Sequence, residues 1–221
     1  ASNSVESYCL FETARGHCGL VWSDRGVVEV KLPAENRAAT EARLLEARPG
    51  AQLEVPPQKI ARAIEMIRAH LSGTIQDLGS IELDMSGLTP FRKRVYETLR
   101  TVPAGETISY GGLGERMGAP GAARAVGTAM SNNPFTLIVP CHRVLASQSG
   151  LGGFSAHGGL HTKLDLLALE GAPLPGAALG LSYDPIEAAK VLADADEAMG
   201  RLIERSGPIR LLVDPMESPF V

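Results

Sequence analysis

Cys141 and His142 set a thiol directly beside an imidazole, after the apolar run Pro134 to Val139 and Pro140. A free thiol titrates near ~8.5 and is only slightly ionised at neutral pH, so it needs help to act as a nucleophile. An adjacent imidazole can take the proton, and a carboxylate on the other ring nitrogen fixes the tautomer and stabilises the imidazolium. Glu170 is the downstream carboxylate with a fixed position, at a helix end immediately before Gly171. Together the three would make a sulfur nucleophile, its base and an orienting acid. An isolated Cys-His pair is more commonly a buried structural cysteine beside a surface histidine, so the weight falls on what surrounds it.

Periodicity outlines the elements that must hold this set. Tyr8 to Glu12, Cys18 to Trp22 and Val27 to Leu32 are β-rich runs, with Ser23-Asp24-Arg25-Gly26 as turn chemistry before the third. Helical composition follows over Asn36 to Arg48, and Ile60, Ile64, Ile67 and Leu71 keep the spacing of one helix face. The pattern breaks at Ser86-Gly87, after which Thr89 is placed to cap a helix with Pro90 in its first position and Phe91, Val95 and Leu99 on one face. Two segments of helical composition split by Gly118-Ala119-Pro120-Gly121 read as a helix-turn-helix or, equally, as an ordinary helical hairpin. In the second, Gly121 to Asn132, Ala123, Val126 and Met130 form an apolar stripe. Arg124, Ala125, Thr128 and Asn132 lie opposite with Ala129 flanking, a small-residue face that another molecule's backbone could approach closely. Pro134 to Val139 reads as a strand, a glycine-rich loop runs from Gly150 to Gly159, and Leu160, Leu164 and Leu167 share a face of a helix stopped by Gly171. These elements give an α+β chain: an N-terminal α+β domain over 1–85, a mainly helical domain over 86–176, and a linker with a helical tail over 177–221.

The string Pro140-Cys141-His142-Arg143-Val144 does not stand alone. With Phe91 and Val95, Gly105-Glu106, Ile108-Ser109-Tyr110, Ala122 to Gly127, Asn133-Pro134 and Leu169-Glu170-Gly171 in order, residues Thr89 to Gly171 resemble the catalytic domain of the O6-alkylguanine-DNA alkyltransferases, the methylated-DNA–protein-cysteine methyltransferases. The resemblance implies a small ribonuclease H-like α/β domain ahead of a winged-helix-like catalytic domain. It implies repair of O6-alkylguanine, and by extension O4-alkylthymine, by irreversible transfer of the alkyl group to Cys141, with His142 as base through a water and Glu170 orienting it. By the same resemblance Tyr110 contacts the extruded base and protonates the departing oxygen, and Asn133 is the hinge that ties the helix-turn-helix to the active site, although an Asn-Pro turn explains it almost as well. Arg124 fills the gap in the base stack beside Ala125 and Thr128 on the groove-facing surface, and Phe154, Ser155 and the carbonyls of Cys141 and Val144 line the base pocket. The partner implied is double-stranded DNA, approached through the minor groove by a monomer that needs no cofactor. The loop Phe154 to Gly159 departs from the family pattern in length and in having phenylalanine for tyrosine. Cys9, His17, Cys18 and His70 lack a metal-ligand spacing, so no metal is expected; His157 and His161 read as loop and helix-surface residues.

Composition sets the outer bounds. The chain has 221 residues, 44% hydrophobic and 21% charged, which fits globular domains and excludes disorder. Three cysteines are too few for a disulfide framework, and no apolar stretch is long enough to span a membrane, so a cytoplasmic protein is expected. The net charge of −4 argues against nucleic acid until it is divided: Thr89 to Gly171 holds eight Lys and Arg against five Asp and Glu, and the acidic excess lies elsewhere. Ala193 to Asp196 and Leu202 to Leu211 resemble the entry to helix-hairpin-helix DNA-3-methyladenine glycosylases, so a fused or associated glycosylase is one reading of the tail and an appended helical hairpin the other. Two further readings compete for the whole chain. One is a non-enzymatic lesion-binding protein of the alkyltransferase-like group, whose members typically lack the cysteine. The other is a cysteine hydrolase, for which no oxyanion motif is present.

Overall fold

The computed structural model of the chain describes residues 5–146 and 150–173; the tail resemblance over 193–211 lies outside the described residues. Strands β1 (Ser7–Thr13), β2 (Gly16–Ser23) and β3 (Gly26–Lys31) form an antiparallel meander, and β4 (Gln52–Leu53) adds parallel to β1, giving the order β3-β2-β1-β4. Both sheet faces are covered, which is why the strands read as continuous apolar runs. Tyr8, Val21 and Val28 meet Leu44 of α1 (Arg37–Ala47), while Cys9, Phe11, Cys18, Leu20 and Trp22 face the main core. Asn36 caps α1, its side chain accepting from the Ala39 N–H. The stripe Ile60, Ile64, Ile67 and Leu71 of α2 (Gln58–Leu71) is buried as its spacing predicts.

The helical half follows without a break in the core. Thr89 caps α3 (Pro90–Leu99) by accepting from the Arg92 N–H, and Val95 and Leu99 are buried. After β5 (Ile108–Ser109), helices α4 (Tyr110–Arg116) and α5 (Ala123–Ser131) pack across the Gly118–Gly121 turn as a helix-turn-helix. Gly118 and Gly121 both take positive φ, 75° and 81°, which an L side chain would disfavour. A 3₁₀ turn over Cys141–Arg143 leads into β6 (Val144–Leu145), parallel to β5, and α6 (Gly159–Leu169) ends with Gly171 at φ 69°. One hydrophobic cluster runs from Cys9 to Leu166, so the segments on either side of Ser86 share a single interior. Between them the backbone is stitched by Val30 N–H to the Pro134 carbonyl, while Val27 N–H to the Glu82 carbonyl ties the sheet to the chain just ahead of Ser86. Among the described residues no helix is long and apolar enough to cross a membrane.

Three local expectations are corrected. Pro134 to Val139 is not a strand but a buried loop: Asn133 accepts from the Phe135 N–H at 3.0 Å and donates to the Val139 carbonyl at 2.9 Å, and the chain reverses at Leu137, φ 78°. Its residues are apolar because the loop is enclosed, not because a sheet alternates there. On α5, Ala129 is only 1% exposed and belongs to the inner face, closing the gap between Val126 and Met130. On α6, Leu160 is 45% exposed and the buried face is carried by Leu164, Leu166 and Leu167.

Gly26 marks where the sheet meets the chain that leads out of the N-terminal half: it sits at φ 144°, and a Cβ there would lie 2.6 Å from the Glu82 carbonyl oxygen. Gly26→Ala is expected to lower the unfolding free energy by about 1–3 kcal/mol. Gly50→Ala, where a Cβ meets nothing within 4 Å, should leave the denaturant midpoint almost unchanged.

Candidate active site

Cys141 opens the 3₁₀ turn that the Asn133 loop delivers, and is 6% exposed at one wall of a cavity of about 380 Å³. Tyr110, Gly127, Met130, Gly153, Phe154 and Ser155 form the rest of that wall together with Ser131. Tyr110 is the first residue of α4 and Gly127 lies in the middle of α5, so the helix-turn-helix itself forms one side of the pocket. Burial pushes the Cys141 thiol up; the Asn133 amide, the Lys163 ammonium and the amides of its own turn favour the thiolate without reversing that. Burial, and then the charge of Cys141, also push the Tyr110 phenol up, which keeps its proton in place.

Behind Cys141 is a fully buried ionic cluster. His142 Nε2 lies 3.0 Å from Glu170 Oε1, and Glu170 is the C-cap of α6. Arg143 donates to both carboxylate oxygens, Nε to Oε2 at 2.8 Å and Nη2 to Oε1 at 2.7 Å. His70, from the last turn of α2, sets its Nε2 2.9 Å from Oε1 as well. Burial alone would raise the Glu170 carboxyl, but the hydrogen bonds from His142, His70 and Arg143 outweigh it and hold the group far below the usual carboxylate range. Burial pushes the His142 imidazole down against the pull of Glu170, so the ring is neutral at rest. With Nε2 donating to a carboxylate, Nδ1 carries the lone pair, and it is buried with no protein partner. The Cys141 thiol, the His142 ring and the Glu170 carboxylate thus lie together, and His142 Nδ1 is a lone-pair nitrogen that no protein group engages.

Lys163 holds the pocket loop. It is 0% exposed, and its Nζ donates to the carbonyls of Val144 (2.7 Å), Leu151 (2.6 Å) and Gly153 (3.3 Å). Burial pulls its pKa down to about 8, while the facing Cys141 acts in the opposite direction. The Val144 carbonyl is therefore engaged by Lys163 and that of Cys141 by the Val144 N–H, leaving each one lone pair for a ligand. Gly152, at φ 68°, passes so close to Tyr110 that a Cβ would lie 3.0 Å from its ring. Phe154 is half-buried and Ser155 exposed at the mouth.

On the outer face, Arg124, Ala125 and Thr128 are exposed together on α5. The end of that helix is fixed by Tyr96, whose hydroxyl donates to the Ala129 carbonyl at 2.8 Å, with Arg92 on the same hydroxyl. Of the site residues expected from sequence, Cys141, Tyr110, Phe154 and Ser155 line the pocket, and Arg124, Ala125 and Thr128 lie on the α5 face; His142 and Glu170 sit in the buried cluster, Asn133 braces the loop before Cys141, and Val144 begins β6. His70, Arg143 and Lys163 were not expected there. The signal for His70 is an imidazole set among Ile60, Ala63, Ile64, Ile67 and Leu71, and for Lys163 an ammonium three and four residues before Leu166 and Leu167; a polar group on a buried stripe demands a partner. His157 is also more than a loop residue, its Nδ1 lying 3.2 Å from Arg43 Nη1.

Comparison with known proteins bears on this arrangement. A family model described as "6-O-methylguanine DNA methyltransferase, DNA binding domain" matches residues 90–172. A methylated-DNA–protein-cysteine methyltransferase of Mycolicibacterium paratuberculosis is 47% identical over 114 residues, 52% of this chain and 67% of the relative. A DNA base-flipping protein of Thermus thermophilus is 46% identical over 111 residues, 50% of this chain and 73% of that protein. Among solved structures, Mycobacterium tuberculosis OGT in complex with DNA is similar with a TM-score of 0.61 at 32% identity, covering 76% of this chain and 95% of that one.

The buried carboxylate has a consequence for acid stability. Because the folded state holds Glu170 ionised far below its unfolded pKa, its contribution is complete above the ordinary glutamate range, near ~4.3, and is lost as pH falls below it. Glu170→Gln should cost about 3–5 kcal/mol at pH 7 by leaving Arg143 unpaired. Denaturant melts between pH 7 and 3 should then show a shallower loss in the variant than in the unaltered protein.

Proposed function

The chain belongs to the methylated-DNA–protein-cysteine methyltransferase family, and we propose that Cys141 is the sulfur on which it takes up the alkyl group of O6-alkylguanine, once per molecule. The protein binds DNA and repairs O6-methylguanine in it. The observation that carries the assignment of Cys141 is its place in the pocket wall, with the His142–Glu170 pair behind it and Tyr110 across from it.

The chemistry follows from these positions. A stacked base hides its O6 substituent, so the nucleotide leaves the duplex at a cost of a few kcal/mol, less where the lesion already pairs poorly. Arg124, the one long cation on the small-residue face of α5, offsets part of this by filling the vacated space in the minor groove. In the pocket the Cys141 proton passes to His142 Nδ1 through a water. The sulfur then attacks the alkyl carbon in line: the S–C bond forms as the C–O6 bond breaks, and the electron pair leaves on the guanine oxygen. Tyr110 gives that oxygen its proton, and the proton on His142 returns the phenol to its neutral form. A thioether is a poor leaving group, so the alkylated protein is an end point and the step as written consumes no co-substrate. One chain supplies every group named, which supports a monomer as the working form, and a nucleophilic thiol that must stay reduced supports the cytoplasm as its place.

Similarity to the T. thermophilus base-flipping protein fits the extrusion step in both readings, transfer and lesion binding alone; the thiol at Cys141 favours transfer. Incubation with a duplex carrying labelled O6-methylguanine should move label to protein one-to-one and not at all in Cys141→Ser, whereas tight binding without transfer by the unaltered protein would decide for the lesion binder. Arg124→Ala should slow repair of duplex at least tenfold more than reaction with free O6-methylguanine, and equal losses on both would remove Arg124 from base extrusion.

A further inference from the structure

The mechanism above leaves one buried titratable group unused, His70. It comes from α2, 72 positions before His142 in the chain, yet both imidazoles point Nε2 at the same oxygen, Glu170 Oε1, at 2.9 and 3.0 Å. The tautomer of His70 is fixed from its other side: Nδ1 accepts from the Gln76 N–H at 3.2 Å, so Nε2 carries the hydrogen and donates. His70 is 0% exposed, and no apolar contact requires an imidazole there. Oε1 therefore takes three donors, His70, His142 and Arg143, while Oε2 takes one.

We propose that His70 is a positioning residue for the transfer step, holding Glu170 in register and, through the shared oxygen, limiting the pull of that carboxylate on His142. A carboxylate that concentrated its charge on His142 alone would favour the imidazolium, and an imidazolium has no lone pair at Nδ1 to accept the thiol proton. The His70 N–H, on the same oxygen beside His142 and Arg143, draws off a further part of that charge. The charged and titratable groups around the His142 ring are Glu170, Arg143 and His70, with Cys141 beside it in the chain, so His70 is the only one of them contributed by the N-terminal half. The inference rests on reading Cys141, His142 and Glu170 as the transfer machinery.

The test is the pH dependence of single-turnover methyl transfer from an O6-methylguanine duplex with protein in excess. His70→Leu removes the donor. Transfer is expected to slow about tenfold, the scale of one net hydrogen bond, and the midpoint of the acidic limb should move to higher pH as His142 becomes easier to protonate. His70→Gln keeps an N–H at similar reach and should restore the midpoint and most of the rate. If the leucine variant does not fold, His70→Asn, polar but too short to reach Oε1, takes its place with the same expectation. A folded His70→Leu with lowered thermal stability but an unmoved midpoint and rate, or a glutamine variant no better than leucine, overturns the proposal. Peptide mass analysis separates the two layers: methyl found on a residue other than Cys141 in the unaltered protein overturns both readings, and methyl on Cys141 with an unmoved midpoint in the variants overturns this one alone.

Discussion

The carboxylate of Glu170 is the constraint around which the rest is arranged. It is a charge with no exposed side-chain surface, at the C-terminal end of α6, where the helix dipole disfavours an anion. Such a group stays ionised only if its lone pairs are filled, and here four donors fill them from two distant parts of the chain. The backbone serves the same end. Gly171 ends the helix at φ 69°, placing Glu170 as its cap, and Gly105, at φ 84°, passes the Glu170 carbonyl where a Cβ would lie 3.1 Å from the oxygen. What these contacts secure is the orientation of His142, and through it the direction in which its unengaged nitrogen points.

A second frame ties Cys141 to the helix-turn-helix. Asn133 takes both a donor and an acceptor of the loop that delivers Cys141, and it follows directly on the end of α5. Tyr96 and Arg92 of α3 hold the carbonyls at that helix end, and Tyr110 begins α4 on the opposite side of the pocket. A displacement of α5 in a groove would therefore be felt at the thiol. The positive φ of Leu137 is tolerated because Phe135, Ile138 and Val139 around it are all buried and the loop is closed on itself by Val139 N–H to the Phe135 carbonyl.

Much of this was legible in the sequence because it is local. The β-rich runs of β1 to β3, the isoleucine stripe of α2, the Thr89-Pro90 start of α3 and the Gly171 stop all follow from composition, spacing and single-residue conformational preference. The motif around Cys141 pointed to a thiol, an imidazole and a carboxylate, and the fold brings His142 and Glu170 into hydrogen-bond contact behind Cys141. What escaped was set by closure in three dimensions. Pro134 to Val139 has strand composition, but an asparagine side chain supplies the hydrogen bonds that a neighbouring strand would have supplied, and nothing local to the run announces it. In sequence His70 is a histidine without a metal-ligand spacing, and Lys163 is one of eight Lys and Arg between Thr89 and Gly171. Each is a polar group on a buried face whose partner lies far away in sequence, and a local reading sees the group without the partner.

The buried cations bear on the electrostatic argument as well. Of the eight between Thr89 and Gly171, Arg143 is neutralised by Glu170, while Lys163, Arg92 and Arg100 donate to neutral backbone carbonyls and keep their charge. Seven cations therefore remain against four carboxylates, a mildly basic balance that gives modest, salt-sensitive attraction to a phosphate backbone. Discrimination between damaged and undamaged duplex has to come from steps that bulk charge does not control: whether a base leaves the stack, and what the pocket then admits. Arg143 and Lys163 hold that pocket in shape, which is where selectivity of that kind is made.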